Sequence, residues 1–261
     1  MPPRAGYGRP APPARIMKEV LTASPRAMPV VGRAHALLQP SYLLRGASPA
    51  VIAELAGVAS IRELRAGETL WREGEPARSF HVIGRGLVRC RRYLRSGSEV
   101  TLGIFGPRES IGDTAVLEDR AYPAEAVVVS DGALVAAIPA RPVLELSTVE
   151  RSIAEALQHA LLCHSAVLRT KVAIVSAGPV RARLANLFLH LAERFGETRD
   201  DGTVVIPLVL ARGALASLVS ARTETVIRGL RPWEVNGVVV TTAEGFRIGD
   251  LDALRACVDD G

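Results

Sequence analysis

Ala211-Arg212-Gly213-Ala214-Leu215-Ala216-Ser217-Leu218-Val219-Ser220-Ala221-Arg222-Thr223-Glu224-Thr225-Val226-Ile227-Arg228-Gly229-Leu230 reads as two short helices joined by a tight turn. Leu215, Ala216, Leu218 and Val219 have the spacing of one short amphipathic helix. Ser220-Ala221-Arg222 reads as a turn, and Thr223 to Leu230 as a second helix. Val226 and Leu230, four apart, face inward, while Glu224 and Arg228, also four apart, share the outward face. A recognition helix needs that pattern, because Arg bonds bidentately to guanine and Glu accepts from the cytosine amino group in the major groove. The same spacing equally serves a surface ion pair.

The flanks extend the pattern. Val238–Thr241, a turn at Ala243-Glu244-Gly245, and Phe246-Arg247-Ile248 predict a two-stranded wing, closed by a helical turn at 250–254. Upstream, Val180, Leu184, Leu187, Phe188 and Leu191 share one helix face, and Val204–Ile206 reads as a short strand. Pro232 is expected to end or kink the second helix near Arg231.

From about Ile61 to Pro139 the texture is different. Short β-rich runs (69–71, 80–83, 87–93, 100–105, 126–129, 134–138) alternate with glycines, as in a small sandwich or barrel. Ser48-Pro49 supplies an N-cap and first helical residue for a helix carrying Val51, Ile52, Leu55 and Ala56. Residues 142–175 read as one long helix. In it Ile153, Leu157, Ala160, His164, Val167, Lys171 and Ile174 step alternately by four and three, the spacing of a dimer seam with two polar interruptions. A second stripe, Leu161, Leu168, Val172 and Val175, lies beside it and would pack on the β-domain.

The 261 residues suit two domains. Net charge is +5, but residues 1–47 hold seven Lys and Arg against one Glu, and residues 178–261 hold ten Arg against eleven Asp and Glu. The excess lies in the N-terminal arm, so net charge gives no support to nucleic-acid binding. Residues 1–40, rich in Pro, Ala and Arg, are expected to be a disordered basic arm. The three cysteines, Cys90, Cys163 and Cys257, form no Cys-x-x-Cys pair, which disfavours disulfides and a zinc site. No apolar run reaches 18 residues and no signal peptide is visible, so the expected location is the cytoplasm. A metal enzyme on the β-barrel would need clustered His and carboxylate ligands, and His81 is the only histidine there. A stand-alone β-roll module is disfavoured by 211–248. The chain reads as no enzyme and as holding no metal.

Three further runs join the helical pair: Leu64-Arg65-Ala66-Gly67-Glu68-Thr69-Leu70-Trp71-Arg72-Glu73-Gly74-Glu75, Phe80-His81-Val82-Ile83-Gly84-Arg85-Gly86-Leu87-Val88, and Ser110-Ile111-Gly112-Asp113. In this order and spacing, over residues 48–255, the chain resembles the Crp/Fnr family of transcription regulators. The resemblance implies an α+β fold with a cyclic-nucleotide-binding-like β-roll (41–145), a dimerisation helix (146–177) and a winged helix-turn-helix (178–258). It implies that Thr223, Glu224 and Arg228, with Arg222 and Thr225 beside them, meet DNA bases, and that Arg212 clamps a phosphate. It further implies a homodimer on near-palindromic duplex DNA, its recognition helices about 34 Å apart, with RNA polymerase as a partner. Two departures stand out: the family's turn glycine is Ser220, and Ala211 replaces a Thr cap.

For the sensor, the family's phosphate cassette corresponds to Gly112, Asp113, Thr114 and Ala115, continuing through Arg120, Pro123 and Ala124; the base region of the long helix corresponds to Leu168, Arg169 and Lys171, the last two serving either an anionic effector or as solvated helix residues. Asp113 is one methylene shorter than the family's Glu, and Pro123 stands where the phosphate Arg is expected. Losing that bidentate clamp disfavours cyclic AMP. An iron–sulfur cluster is disfavoured because the FNR cysteines are missing. Haem remains open through Cys90 with His81, or through His164. The effector is left unidentified, with a cyclic-nucleotide or haem-gas sensor and a constitutive DNA binder as the alternatives.

Overall fold

The structure is a computed structural model that describes residues 29–259. Most of the N-terminal arm lies outside the described residues, but Val30–Leu38 does not fit the expected disorder. It forms a helix, α1, with Ala34 and Leu38 fully buried. Leu37 of α1 lies over Gly84, where an added Cβ would come within 2.0 Å of it. The apolar set Ala34-Leu37-Leu38 gives this segment enough burial to offset its ordering entropy.

α2 (Pro49–Val58) begins as expected, with the Ser48 hydroxyl accepting from the Val51 amide. Eight strands follow: β1 (Ser60–Arg65), β2 (Thr69–Trp71), β3 (Ser79–Arg85), β4 (Val88–Tyr93), β5 (Glu99–Phe105), β6 (Ser110–Ile111), β7 (Glu125–Val128) and β8 (Gly132–Pro139). They form two antiparallel four-stranded sheets, ordered β1-β8-β3-β6 and β2-β7-β4-β5. A short helix, α3 (Asp113–Leu117), sits between β6 and β7. Ile83, Val88, Ile111, Ala126 and Val135 fill the roll.

The long helical region is broken once. α4 (Ala140–Val149) ends at Glu150, which is extended, and α5 (Arg151–Val175) starts afresh. The stripe Ile153, Leu157, Ala160 and Ile174 is buried inside the chain, against the roll and the C-terminal domain. The expected dimer seam is therefore the intramolecular face. Its two polar interruptions have partners within the chain: His164 Nε2 lies 3.0 Å from the Ser110 carbonyl, and the Lys171 amine bonds carbonyls of the next domain. The second stripe is the exposed one: Leu161, Leu168 and Val172 face solvent. Two apolar faces on one helix are indistinguishable by period alone.

Gly178 has φ +74 and turns the chain into α6 (Val180–Phe195). β9 (Glu197–Thr198) and β10 (Val204–Ile206) join the wing strands β11 (Val239–Thr242) and β12 (Gly245–Ile248) in one four-stranded sheet, ordered β11-β12-β10-β9. Between them lie α7 (Arg212–Val219) and α8 (Thr223–Val235), and α9 (Leu251–Asp259) closes the domain. Pro232 does not end α8, which runs on to Val235. Pro232 is exposed, so the carbonyl it leaves unbonded can meet water. Buried Trp233, edge-on to Phe188, holds the last turn in place.

Candidate nucleic-acid interface and sensor pocket

α7, the turn and α8 make a helix-turn-helix. Leu215, Leu218, Val219, Val226, Leu230 and Trp233 bury its inner faces against α6 and the wing sheet. That packing leaves Glu224, Ile227, Arg228 and Arg231 exposed along one side of α8. Thr223 and Thr225 are half-buried at its first turn, and Arg222 is exposed at the N-cap position. Ser220 takes the left-handed conformation that the turn demands, at φ +51 and ψ 54. The turn keeps its geometry and a serine bears the strain that glycine would not.

Arg212 is engaged elsewhere. Its guanidinium bonds Glu234 at 2.5 Å and Thr241 at 2.9 Å, linking the start of α7 to the end of α8 and the wing. Ala211 makes no side-chain cap.

In the sensor domain Gly112 has φ +86 and opens α3. Asp113 is completely buried. Its Oδ2 accepts from the Ser110 hydroxyl at 2.5 Å and lies 3.5 Å from His164 Nε2 on α5. Burial raises the Asp113 carboxyl above its ordinary range, while His164 and the Ser110 bond pull it back. Oδ1 has no partner. Ala115 and Ala124 are buried; Thr114, Arg120 and Pro123 are exposed, with Arg120 facing solvent beside Glu118.

Three rings, His81 and two to which the sequence reading gave no role, Trp71 and Tyr122, fill the space next to the cassette. Trp71 stacks on Tyr122 with centroids 4.2 Å apart, and His81 tilts against Trp71 at 4.8 Å. Trp71 Nε1 donates to the Ala124 carbonyl and the Tyr122 hydroxyl to that of Ser79. A Cβ on Gly112 would come within 2.9 Å of the Tyr122 ring. Trp71 lies inside one of the quoted runs and Tyr122 precedes Pro123, but nothing in their spacing says that they meet. Between β5, β6 and α5, a cavity lined by Phe105, Ser110, Cys163 and His164 has a volume of about 10 Å³. That is room for one water, against roughly 300 Å³ or more for a small-molecule site. Leu168 and Arg169 lie on the outer side of α5, where Leu168 is exposed and Arg169 bonds Ser165.

The residues open to haem do not fit it. Burial pushes the Cys90 thiol up to about 12, which removes the thiolate. His81 is stacked on Trp71 and His164 is bonded to Ser110. Among the described residues no group of His, Cys, Asp and Glu could hold a metal ion, and no helix is long and apolar enough to cross a membrane.

Residues 61–148 match the cyclic nucleotide-binding domain, and residues 182–257 match the Crp-like helix-turn-helix domain. The chain belongs to the Crp/Fnr family. The CRP-like cAMP-activated global transcriptional regulator of Mycobacterium tuberculosis is 26% identical, covering 84% of this chain and 96% of its own. The transcriptional activator protein anr of Pseudomonas aeruginosa is 24% identical over 75% and 78%. A CRP-family transcriptional regulator from Thermus thermophilus shares the fold, with a TM-score of 0.64 at 23% identity over 76% and 96%. This Crp/Fnr chain is thus a transcription regulator with a DNA-binding helix-turn-helix, and not an enzyme.

In this regulator the two domains are fastened together. Arg194 of α6 holds Glu109 through both carboxylate oxygens, at 2.7 and 2.8 Å, and donates to the Ile104 carbonyl. Leu87, Ile104 and Val129 of the roll belong to the same apolar cluster as Leu184, Leu208 and Leu210. The Thr101 amide donates to the Ser217 hydroxyl at 2.6 Å, and the Lys171 amine donates to the carbonyls of Ser217 and Leu218 at 2.7 and 2.5 Å. Burial lowers the Lys171 amine to about 8, so at neutral pH it is still mainly the ammonium.

Proposed function

We propose that this regulator binds a near-palindromic DNA site as a homodimer, with α8 in the major groove, and that cyclic AMP is not its effector. The observation that carries the DNA reading is the solvent-facing row Glu224, Ile227, Arg228 and Arg231 over the buried anchors Val226, Leu230 and Trp233. Thr223, Glu224 and Arg228 are the base-reading residues, with Arg222 and Thr225 beside them. Arg212, bonded to Glu234 and Thr241, is better suited to holding the wing than to clamping phosphate.

The dimer reading rests on the exposed side of α5. Ala154, Gln158, Leu161, Ser165, Leu168, Val172 and Val175 step alternately by four and three, and Leu161, Leu168 and Val172 are exposed. A parallel second copy would set each of these residues against its twin. Residues 41–145 are then the sensor, 146–177 the dimerisation segment and 178–258 the reading head.

The filled cassette supports the effector reading. Trp71 and Tyr122 pack beside Gly112, Asp113 is committed to Ser110 and His164, and Pro123 replaces the clamp. Pro123 offers no charge-assisted bond to a phosphate at the clamp position.

Genomic footprinting tests the DNA reading, followed by mobility shift on the recovered sites at stated salt. Arg228→Ala is expected to weaken binding by about 1–3 kcal/mol and to relax one base position. Equal weakening on all sequences would assign Arg228 to a phosphate, and no selective site at any salt would remove the reading. Titration calorimetry with cyclic AMP is expected to show no micromolar binding.

A further inference from the structure

We propose that Lys171 is a positioning residue: it fixes the reading head to the long helix and thereby sets the half-site spacing. The inference rests on the DNA-binding dimer proposed above. α5 contacts both domains through one face. His164 lies against the Ser110 carbonyl beside the cassette, and Lys171, two turns further on, bonds the carbonyls of Ser217 and Leu218.

Those carbonyls lie in the last turn of α7, where helix carbonyls lack intrahelical partners and the helix dipole is negative. An ammonium with three protons suits that end. Arg183 of α6 reaches the next two carbonyls, Val219 and Ser220, only at 3.4 and 3.5 Å, so the shorter bonds come from Lys171. Thr101 holds Ser217 from the roll side.

The recognition helix begins three residues after Ser220. Its direction therefore follows the end of α7, and Lys171 ties that end to the helix that pairs with the second copy. Arg194 and the shared apolar cluster hold the head to the roll; Lys171 adds the bond that fixes the end of α7, and with it the direction of the recognition helix, to α5. Lys171 itself is half-buried at this junction, its amine taken up by the two carbonyls.

The experiment compares wild type with Lys171→Met, Lys171→Gln and Lys171→Arg as full-length dimers. Duplexes carry the footprinted half-sites at the native spacing and at one base pair more or less. Wild type is expected to prefer the native spacing at least tenfold. Lys171→Met and Lys171→Gln are expected to lose at least tenfold in affinity at that spacing and to bind the three duplexes within threefold of each other. Lys171→Arg should restore the preference, and the salt slope should be unchanged in all four proteins. A slope reduced by about one would make Lys171 a phosphate contact and overturn the proposal. So would an unaltered spacing preference in both uncharged variants.

Hydrogen exchange tests the tie without DNA. Amides over 211–222 should exchange faster in Lys171→Met and Lys171→Gln, with residues 60–148 unaffected. Wild-type protection there in both variants overturns the tie. Failure of wild type to select any site, with the exchange result as expected, removes the DNA reading and leaves the tie standing.

Discussion

His81 shows how a single buried group sets a pH dependence. It lies inside the roll against Trp71, Nδ1 has no partner, and burial, with the Arg62 charge second, lowers its imidazole to about 4 against a bond to the Ser79 backbone. The unfolded chain takes up a proton near the ordinary value of 6.5, whereas the folded chain refuses it until about 4. Above pH 6.5 both states are neutral and His81 has no effect. As pH falls from 6.5 towards 4 the unfolded state binds more protons, and stability drops by about 2–3 kcal/mol. Urea unfolding at pH 7.5 and 4.5 should show that loss in wild type in excess of His81→Leu; equal losses would count against it. Ser220 is a second local cost, because a serine at φ +51 is strained where glycine is not. Ser220→Gly should stabilise by about 1 kcal/mol in the same assay, and a destabilised variant would mean that the hydroxyl supports the turn.

At the scale of elements, the sequence was most legible where local spacing carries the signal. The Ser48-Pro49 cap, the strands around 80–83 and 100–105, and the pair of helices around Ser220 all stand in the structure. Two readings failed, and a helix end at Pro232 did not occur, because the deciding partner is distant in sequence. α1 forms because Leu37 covers Gly84, α8 outlasts Pro232 because Trp233 is anchored on Phe188, and the buried face of α5 is chosen by the Ser110, Ser217 and Leu218 carbonyls. The aromatic filling of the cassette was hidden for the same reason, since Trp71, His81 and Tyr122 meet only across the roll. The two faces of α5 predict opposite outcomes for one substitution. Leu168→Lys should leave a folded monomer, because the side chain is exposed within the chain and a like charge would face its twin. Leu157→Lys should instead cost about 3 kcal/mol or more, since it puts a charge into the core that Leu157 shares with Ile153 and Ala160. Sedimentation and urea unfolding separate the two. A Leu168→Lys dimer as tight as wild type would dismiss the outer stripe as the interface.

Over the whole molecule, the sensor and the head share one apolar cluster, through Leu87, Ile104 and Val129 on one side and Leu184, Leu208 and Leu210 on the other. Val209 donates its amide to the Val129 carbonyl, and Gly106 leaves no space for a Cβ under Phe195. Across this junction runs the Arg194–Glu109 pair, with side chains 10% and 15% exposed. A pair this well covered is costly to break from one side, because the remaining charge keeps its burial and loses its partner. Glu109 directly precedes Ser110, whose hydroxyl bonds Asp113 and whose carbonyl meets His164. The clamp on the head therefore stands three residues before Gly112, next to the serine that bonds Asp113. Two domains joined in this way unfold together. Heating wild type should give one calorimetric transition, with the head reporting through Trp233 and the roll through Trp71. Arg194→Leu should cost about 3 kcal/mol and split it into two, because Glu109 is left buried and unpaired and the junction loses its charged fastening. If the variant still melts in one step at the wild-type temperature, the ion pair does not fasten the domains, and the shared apolar cluster alone makes them a single cooperative unit.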